Sequence, residues 1–281
     1  MERRQLGKTG EHLSVIGFGG ILVMDEQPNA AARIVSQAVD QGINYFDVAP
    51  SYGNAEERLG PALEPYRKSV FLACKTGERS AAGALVELHQ SLKRLRTDYF
   101  DLYQLHAVTK PEEVEVILGP GGALETLLRA REQGKVRYLG FSAHSEQAAR
   151  ALLDGFQFDS MLFPINWVCW HQGHFGPGAL EKAEEKGVGI LALKTLAKCK
   201  LQEGEERIWP KTWYAPVDTY EEALLAVRFT LSKPVTAAVS PGHVELLDWA
   251  CRAAESFSPL SVEEEALVAQ RSEGLAPIFP E

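Results

Sequence analysis

Four side chains in the first 106 residues have the types and spacing to move a proton: Asp47, Tyr52, Lys75 and His106. Asp47 and Lys75 sit in the short apolar runs 44–49 and 70–75, so on neighbouring strands their charges would pair across the end of a sheet. Tyr52 follows five residues after Asp47, in the loop Pro50-Ser51-Tyr52-Gly53. A phenol with a pKa of about 10 is a poor acid at neutral pH. A nearby ammonium favours the phenolate, so Lys75 is expected to bring the Tyr52 pKa down and make proton donation feasible. His106 would hydrogen-bond a substrate oxygen and keep it beside the phenol. Ser142 and Asn166 offer a hydroxyl and an amide suited to a carboxamide such as that of nicotinamide. Such a set fits protonation of an oxygen while hydride reaches its carbon.

The elements that must hold these residues repeat one unit. Apolar runs at 14–19, 44–49, 70–75, 99–106, 138–142, 161–166, 189–194 and 235–240 alternate with segments of helical period. Short, apolar runs of this kind are expected of parallel strands covered on both faces. Leu85, Leu88, Leu92 and Leu95 predict one buried helix stripe. Asn29 and Gly42 are expected to bracket the first helix, and Ser145 and Gly155 another. Thr219-x-x-Glu222 and Ser261-x-x-Glu264 are expected capping boxes, the second opening an extra C-terminal helix. Eight strand–helix units in 281 residues predict one (β/α)8 TIM barrel domain over 1–281, near the usual size of roughly 250 residues. An open doubly wound sheet would want G-x-G-x-x-G after its first strand, and Gly17-Phe18-Gly19-Gly20-Ile21-Leu22 lacks the third glycine. Segments 3–6 and 12–15 around Gly7-Lys8-Thr9-Gly10 predict a short N-terminal β-hairpin closing the barrel floor. Barrel enzymes place their chemistry at the C-terminal strand ends, which here carry Asp47, Lys75, His106, Ser142, Asn166, Lys194 and Ser240.

Composition narrows the partners. The chain carries 29 basic and 38 acidic residues, a net charge of −9, which argues against nucleic acid and anionic membrane surfaces. No apolar run approaches the roughly 20 residues of a membrane helix, and no apolar segment follows the N-terminal charges, so a cytoplasmic location is expected. Cys74, Cys169, Cys199 and Cys251 are scattered without a C-x-x-C pair and are expected to be buried or half-buried thiols. His171-x-x-His174 lies in a loop-like stretch without a third ligand, so no metal is expected. Trp167, Trp170, Trp209, Trp213 and Tyr214 are candidates both for an aromatic substrate wall and for pinning long loops to the barrel.

The sequence resembles the aldo-keto reductase family over nearly its whole length. The motifs are IGFGG (16–20), INYFDVAPSYGNAEERLG (43–60), LACKT (72–76), LKRLRTDYFDLYQLH (92–106), GKVRYLGFSAHS (134–145) and PIN (164–166). The resemblance implies reduction of aldehydes or ketones to alcohols with NADPH. Tyr52 would be the general acid, Lys75 its pKa-lowering partner paired with Asp47, and His106 the residue that orients the carbonyl. It also implies that Ser142 and Asn166 hold the nicotinamide amide and that Gly20 and Ile21 line its end of the site. Loops after the seventh and eighth strands, including Gly242, would take the phosphates, with Lys194 reaching the pyrophosphate where the family often has a tyrosine. Ala143-His144 replaces the usual asparagine after the serine. The stretch 240–248 has no arginine or lysine before Arg252 and carries Glu245 and Asp248, so the NADPH preference should be weak and NADH accepted. The partner would be a small-molecule carbonyl substrate chosen by segments 107–122, 195–219 and the tail 274–281, with no oligomeric state implied. Two alternatives stay open: a Schiff-base barrel aldolase using Lys75 or Lys194, and a cofactor-sensing regulatory subunit without turnover.

Overall fold

In the computed structural model, which describes residues 1–202, 204 and 207–280, the eight runs close into a parallel barrel. Glu203, Glu205, Glu206 and Glu281, within the loop and tail expected to carry specificity, lie outside the described residues. The hairpin strands are β1 (Arg3–Gln5) and β2 (His12–Ser14). Barrel strands β3 (Ile16–Gly19), β4 (Tyr45–Asp47), β5 (Phe71–Thr76) and β6 (Phe100–Val108) form one half. Strands β7 (Val136–Ala143), β8 (Ser160–Pro164) and β9 (Gly189–Leu193) follow. A two-stranded excursion, β10 (Ala197–Cys199) with β11 (Ala215–Pro216), precedes the last barrel strand, β12 (Ala237–Val239). Pairing of Ala238 with Ile16 shuts the ring.

Strand periodicity sorts the core. Tyr45, Phe71, Ala73, Leu102, Leu162, Leu191 and Ala237 fill the barrel, joined from below by Leu6 and Leu13 of the hairpin. Alternate residues such as Phe46, Leu72, Tyr103 and Phe141 pack outward against the helices. With the floor plugged, the open end of the barrel is the one reached by Asp47, Lys75 and His106.

Several local expectations are corrected. Asn29 does not cap the first helix, because Pro28 takes its first position and Gln27 is the cap; Gly42 does leave through a left-handed turn at φ +88°. Ser145 caps helix Glu146–Gly155 by accepting from Ala148 N–H, but Gly155 is its last residue and the chain leaves through extended Phe156. Thr219 accepts from Glu222 N–H, yet the Glu222 carboxylate takes Lys198 at 2.8 Å instead of completing a box; Ser261 and Glu264 complete theirs. Leu85 is 44% exposed, the buried stripe being Ala84, Leu88, Ser91 and Leu95. Among the described residues no helix is long and apolar enough to cross a membrane.

Candidate active site

Asp47 ends β4 and Lys75 lies near the end of the neighbouring β5; both are buried, and their side chains are in direct contact. The other Asp47 oxygen accepts from Gln104 Nε2 at 2.9 Å and from the Tyr45 hydroxyl at 3.2 Å. Burial pulls the Lys75 pKa down, but the charges of Asp47 and Tyr52 outweigh it and hold lysine as an ammonium. Its Nζ lies 5.2 Å from the Tyr52 ring centroid. The Tyr52 pKa is nevertheless raised, contrary to the expectation from charge alone. Burial pushes it up and Asp47 adds to that, together exceeding the downward pull of Lys75. Because Asp47 neutralises much of the ammonium, the phenol stays protonated at neutral pH. A protonated phenol is the form that can donate.

His106 stands edge-on to the Tyr52 ring, with centroids 5.7 Å apart at 81°. Burial, then the charge of Lys75, pushes its pKa down to about 2, so the imidazole is neutral. The next residue, Ala107, has φ +51°, a conformation that side-chain-bearing residues avoid. Its N–H donates to Ser142 Oγ at 2.7 Å, and Arg79 Nη2 donates to the His106 carbonyl at 2.9 Å. Arg79 is in turn paired with Glu113 at 2.9 Å. Arg79 therefore positions the histidine turn; sequence reasoning missed it because the loop after β5 carries no spacing signal.

These residues open on a cleft of about 280 Å³ whose far wall is built from Gly19, Ile21, Ser240 and Gly242. Of the residues expected to hold the cofactor, Ile21, Asp47, Ser142, Lys194 and Gly242 line it; Gly20 and Asn166 do not. A Cβ on Gly20 would meet Val48 Cγ2 at 2.7 Å, so that glycine lets the first strand end pack closely on the second. The Asn166 amide is fully committed. Its nitrogen donates to the carbonyls of Lys194, at 3.0 Å, and Ala197, and its oxygen accepts from the N–H groups of Val168 and Cys169, each at 3.0 Å. A Cβ on Gly242 would collide with Ile21 and meet Lys211 Cβ at 2.9 Å. Lys211 is a cleft cation that the sequence reading missed, since it arrives from the long loop after β9 and not from 240–248. It donates to Glu26 and to the Leu22 carbonyl at 2.9 and 3.0 Å.

Of the five loop aromatics, Trp213 and Tyr214 line the cleft. Trp167 and Trp170 lie in the helix Trp167–Gln172, where Trp170 packs on Phe229, and Trp209 packs on His243, which pins its loop. The tail folds over the mouth, with Phe279 centred 5.5 Å from Phe175, 5.7 Å from Trp213 and 5.0 Å from His144. Cys74 faces Glu56 at 3.5 Å, behind Lys75, as strand alternation requires. His171 approaches Glu265 at 3.9 Å, and among the described residues no three His, Cys, Asp or Glu side chains group as metal ligands.

Comparison with known proteins agrees with this architecture. The family model described as "Aldo/keto reductase family" matches residues 15–217. The oxidoreductase YqkF of Bacillus subtilis is 32% identical over 157 residues, 51% of this chain and 49% of that protein. L-galactose dehydrogenase of Arabidopsis thaliana is 27% identical over 230 residues, covering 74% and 70%. The match thus spans about half the length of the first of these relatives. The solved aldo-keto reductase AKR11C1 from Bacillus halodurans superposes with a TM-score of 0.76 at 26% identity, covering 99% of this chain and 98% of that one. With its barrel and the match over 15–217, the chain belongs to the aldo/keto reductase family, a family of oxidoreductases.

Proposed function

We propose that the protein reduces aldehydes or ketones to alcohols with a nicotinamide cofactor, Tyr52 supplying the proton. The observation that carries this reading is a protonated phenol beside a neutral imidazole, with the Lys75–Asp47 pair beneath, at the mouth of the barrel. When bound, the cofactor supplies the hydride. His106 and the Tyr52 hydroxyl hold the carbonyl oxygen. Tyr52 hands over its proton as negative charge grows on that oxygen, and Lys75 stabilises the phenolate left behind.

The cleft residues suit the cofactor. Ser142 Oγ accepts from Ala107 N–H, which leaves its own O–H to donate to an amide oxygen. Gly242 keeps the wall between Ile21 and Lys211 open to a close backbone approach. Lys211 offers positive charge on that side, although Glu26 already holds it, and Asp248 occupies Arg252 at 3.7 Å. We therefore expect NADPH to bind and NADH to be accepted; a hundredfold preference in dissociation constants for NADPH would overturn that expectation. The primary test follows nicotinamide absorbance with both cofactors over a panel of aldehydes and ketones. Carbonyl-dependent loss of absorbance is the expected result. Silence with both cofactors bound would favour the regulatory reading.

One observation favours the Schiff-base aldolase as a second reading. Burial alone lowers the Lys194 pKa to about 8, which leaves a fraction of nucleophilic amine near neutral pH. Borohydride trapping of substrate on Lys194, seen as a mass adduct, would establish it.

A further inference from the structure

Lys194 differs from the other cations of the cleft. Lys75 is paired with Asp47 and Lys211 with Glu26. Lys194 has neither a hydrogen-bond acceptor nor an ion-pair partner for its ammonium among the described residues, although it is largely withdrawn from solvent. Its backbone sits in the left-handed region at φ +68°. Its carbonyl is tied down by Asn166 Nδ2 at 3.0 Å and Ala197 N–H at 2.9 Å, so the surroundings enforce the turn. Strain maintained this way is a mark of a functional position.

The turn determines where the charge goes. The ammonium lies 4.8 Å from the Tyr214 ring centroid and 5.2 Å from that of Trp213. Burial first, and then cationic charge that includes that of Lys194, depresses the pKa values of His106, near the end of β6, and of His144, just past β7. Lys194 thus lines the same cleft as Tyr52, His106 and His144. Asp47, the carboxylate lining the cleft, is already engaged by Lys75, Gln104 and Tyr45. A poorly solvated ammonium with no counter-charge attracts an arriving anion more strongly than an exposed one does.

We infer that Lys194 recognises an oxyanion on the carbonyl substrate itself, so that oxo acids are preferred over neutral aldehydes, with Trp213 and Tyr214 covering the carbon chain. This assignment rests on the reductase reading above and gives Lys194 a substrate, in place of a pyrophosphate, as its partner. Charge-assisted hydrogen bonds are the strong ones, so a carboxylate should gain at least about tenfold over its ester.

The test compares 4-oxobutanoate and 5-oxopentanoate with their methyl esters, using the full chain, K194M and K194R. Dissociation constants for both nicotinamides are measured on each protein. Tryptophan fluorescence is titrated with 4-oxobutanoate with and without bound NADP+, because Trp213 adjoins the ammonium. The expected results are a higher kcat/KM for each acid than for its ester, collapse of that ratio in K194M through KM, and its retention in K194R. Equal efficiencies for acid and ester in the unaltered protein would overturn the inference. So would a ratio that survives K194M, including the case where K194M weakens both nicotinamides, which would assign Lys194 to the pyrophosphate. If neither acid nor ester turns over, the panel of aldehydes and ketones decides the reductase reading and fluorescence alone decides the anion site. Quenching that K194M abolishes would sustain the anion site, and no quenching would remove it.

Discussion

Two buried aspartates, one at the floor of the barrel and one at its mouth, use the same charge in opposite ways. Asp101, at the start of β6, accepts from Arg67 at 2.9 Å, Leu72 N–H at 2.9 Å and Arg137 at 2.7 Å. Arg67 also donates to Thr97, Tyr99 and Val70, and its guanidinium lies 4.1 Å over the Tyr99 ring. Every arm of that fork is occupied, so the floor is a fixed joint between β5, β6 and β7. Asp47 meets a lysine, a compact charge with rotatable donors. Beyond Asp47 and the Val48 carbonyl at 3.3 Å, Lys75 still faces the Tyr52 ring. An arginine fork closes a site; a lysine leaves one direction of its charge for a second group.

The sharpest way to break this comparison is to remove that second group. Tyr52→Phe should lower kcat by roughly 10²–10⁴-fold, the usual worth of a positioned general acid, while nicotinamide dissociation constants stay nearly unchanged. Retention of more than a tenth of the activity would deny Tyr52 the role. Next come the cations themselves. Lys75→Met strands the buried Asp47 carboxylate, with an expected cost of about 3 kcal/mol or more in urea unfolding. Arg67→Met leaves Asp101 its ion pair with Arg137 and should cost less. Lys75→Met should also abolish turnover per folded molecule, whereas Arg67→Met should not. Equal losses of kcat would mean that the two joints are not functionally distinct.

How far the sequence could be read follows the same division. The eight strands were legible because both faces are covered, which writes short apolar runs whatever the neighbours. Asp47, Lys75 and His106 were legible because they interrupt or end those runs, and Tyr52 because of its fixed spacing from Asp47. What escaped depends on the third dimension. The rise in the Tyr52 pKa comes from burial and then the Asp47 charge, which together exceed the pull of Lys75. Lys211 reaches the cleft from 31 residues before Gly242, so no local pattern could assign it there. Asn166 has the chemistry to hold a carboxamide, but its partners are two backbone carbonyls on the loop after β9 and two backbone N–H groups at the start of the helix it caps. Polar type predicts capacity; only geometry shows that the capacity is already used.

The loop after β9 supplies a smaller effect that tests how its cation is held. Burial puts the Lys194 pKa at about 8, so the ammonium is present below that pH and lost above it. The kcat/KM for 4-oxobutanoate should therefore fall as pH rises through about 8, while the profile for its methyl ester stays flatter there. Superimposable profiles would show that Lys194 carries no charge used by the acid.

The smallest expected effect concerns acid stability and again separates mouth from floor. Burial first, and then nearby lysine charge, holds the pKa of His144 at about 4 and of His106 at about 2. Both values lie below the ordinary one near 6.5. As pH falls from 6.5 to 5, the unfolded chain takes up protons at both histidines and the folded protein at neither, so stability must drop. Each histidine contributes about one proton to that slope. No histidine takes part in the floor joint, which is made by Arg67, Arg137 and Asp101. His144→Asn should remove one of the two protons from the pH dependence of the unfolding free energy between 6.5 and 5, leaving that of His106 in place. An unchanged slope would mean that His144 already titrates in the folded state. Neither burial nor the charges of Lys194 and Lys75 would then keep the proton off His144, and the mouth would be wetter and less charged than its unpaired lysine implies.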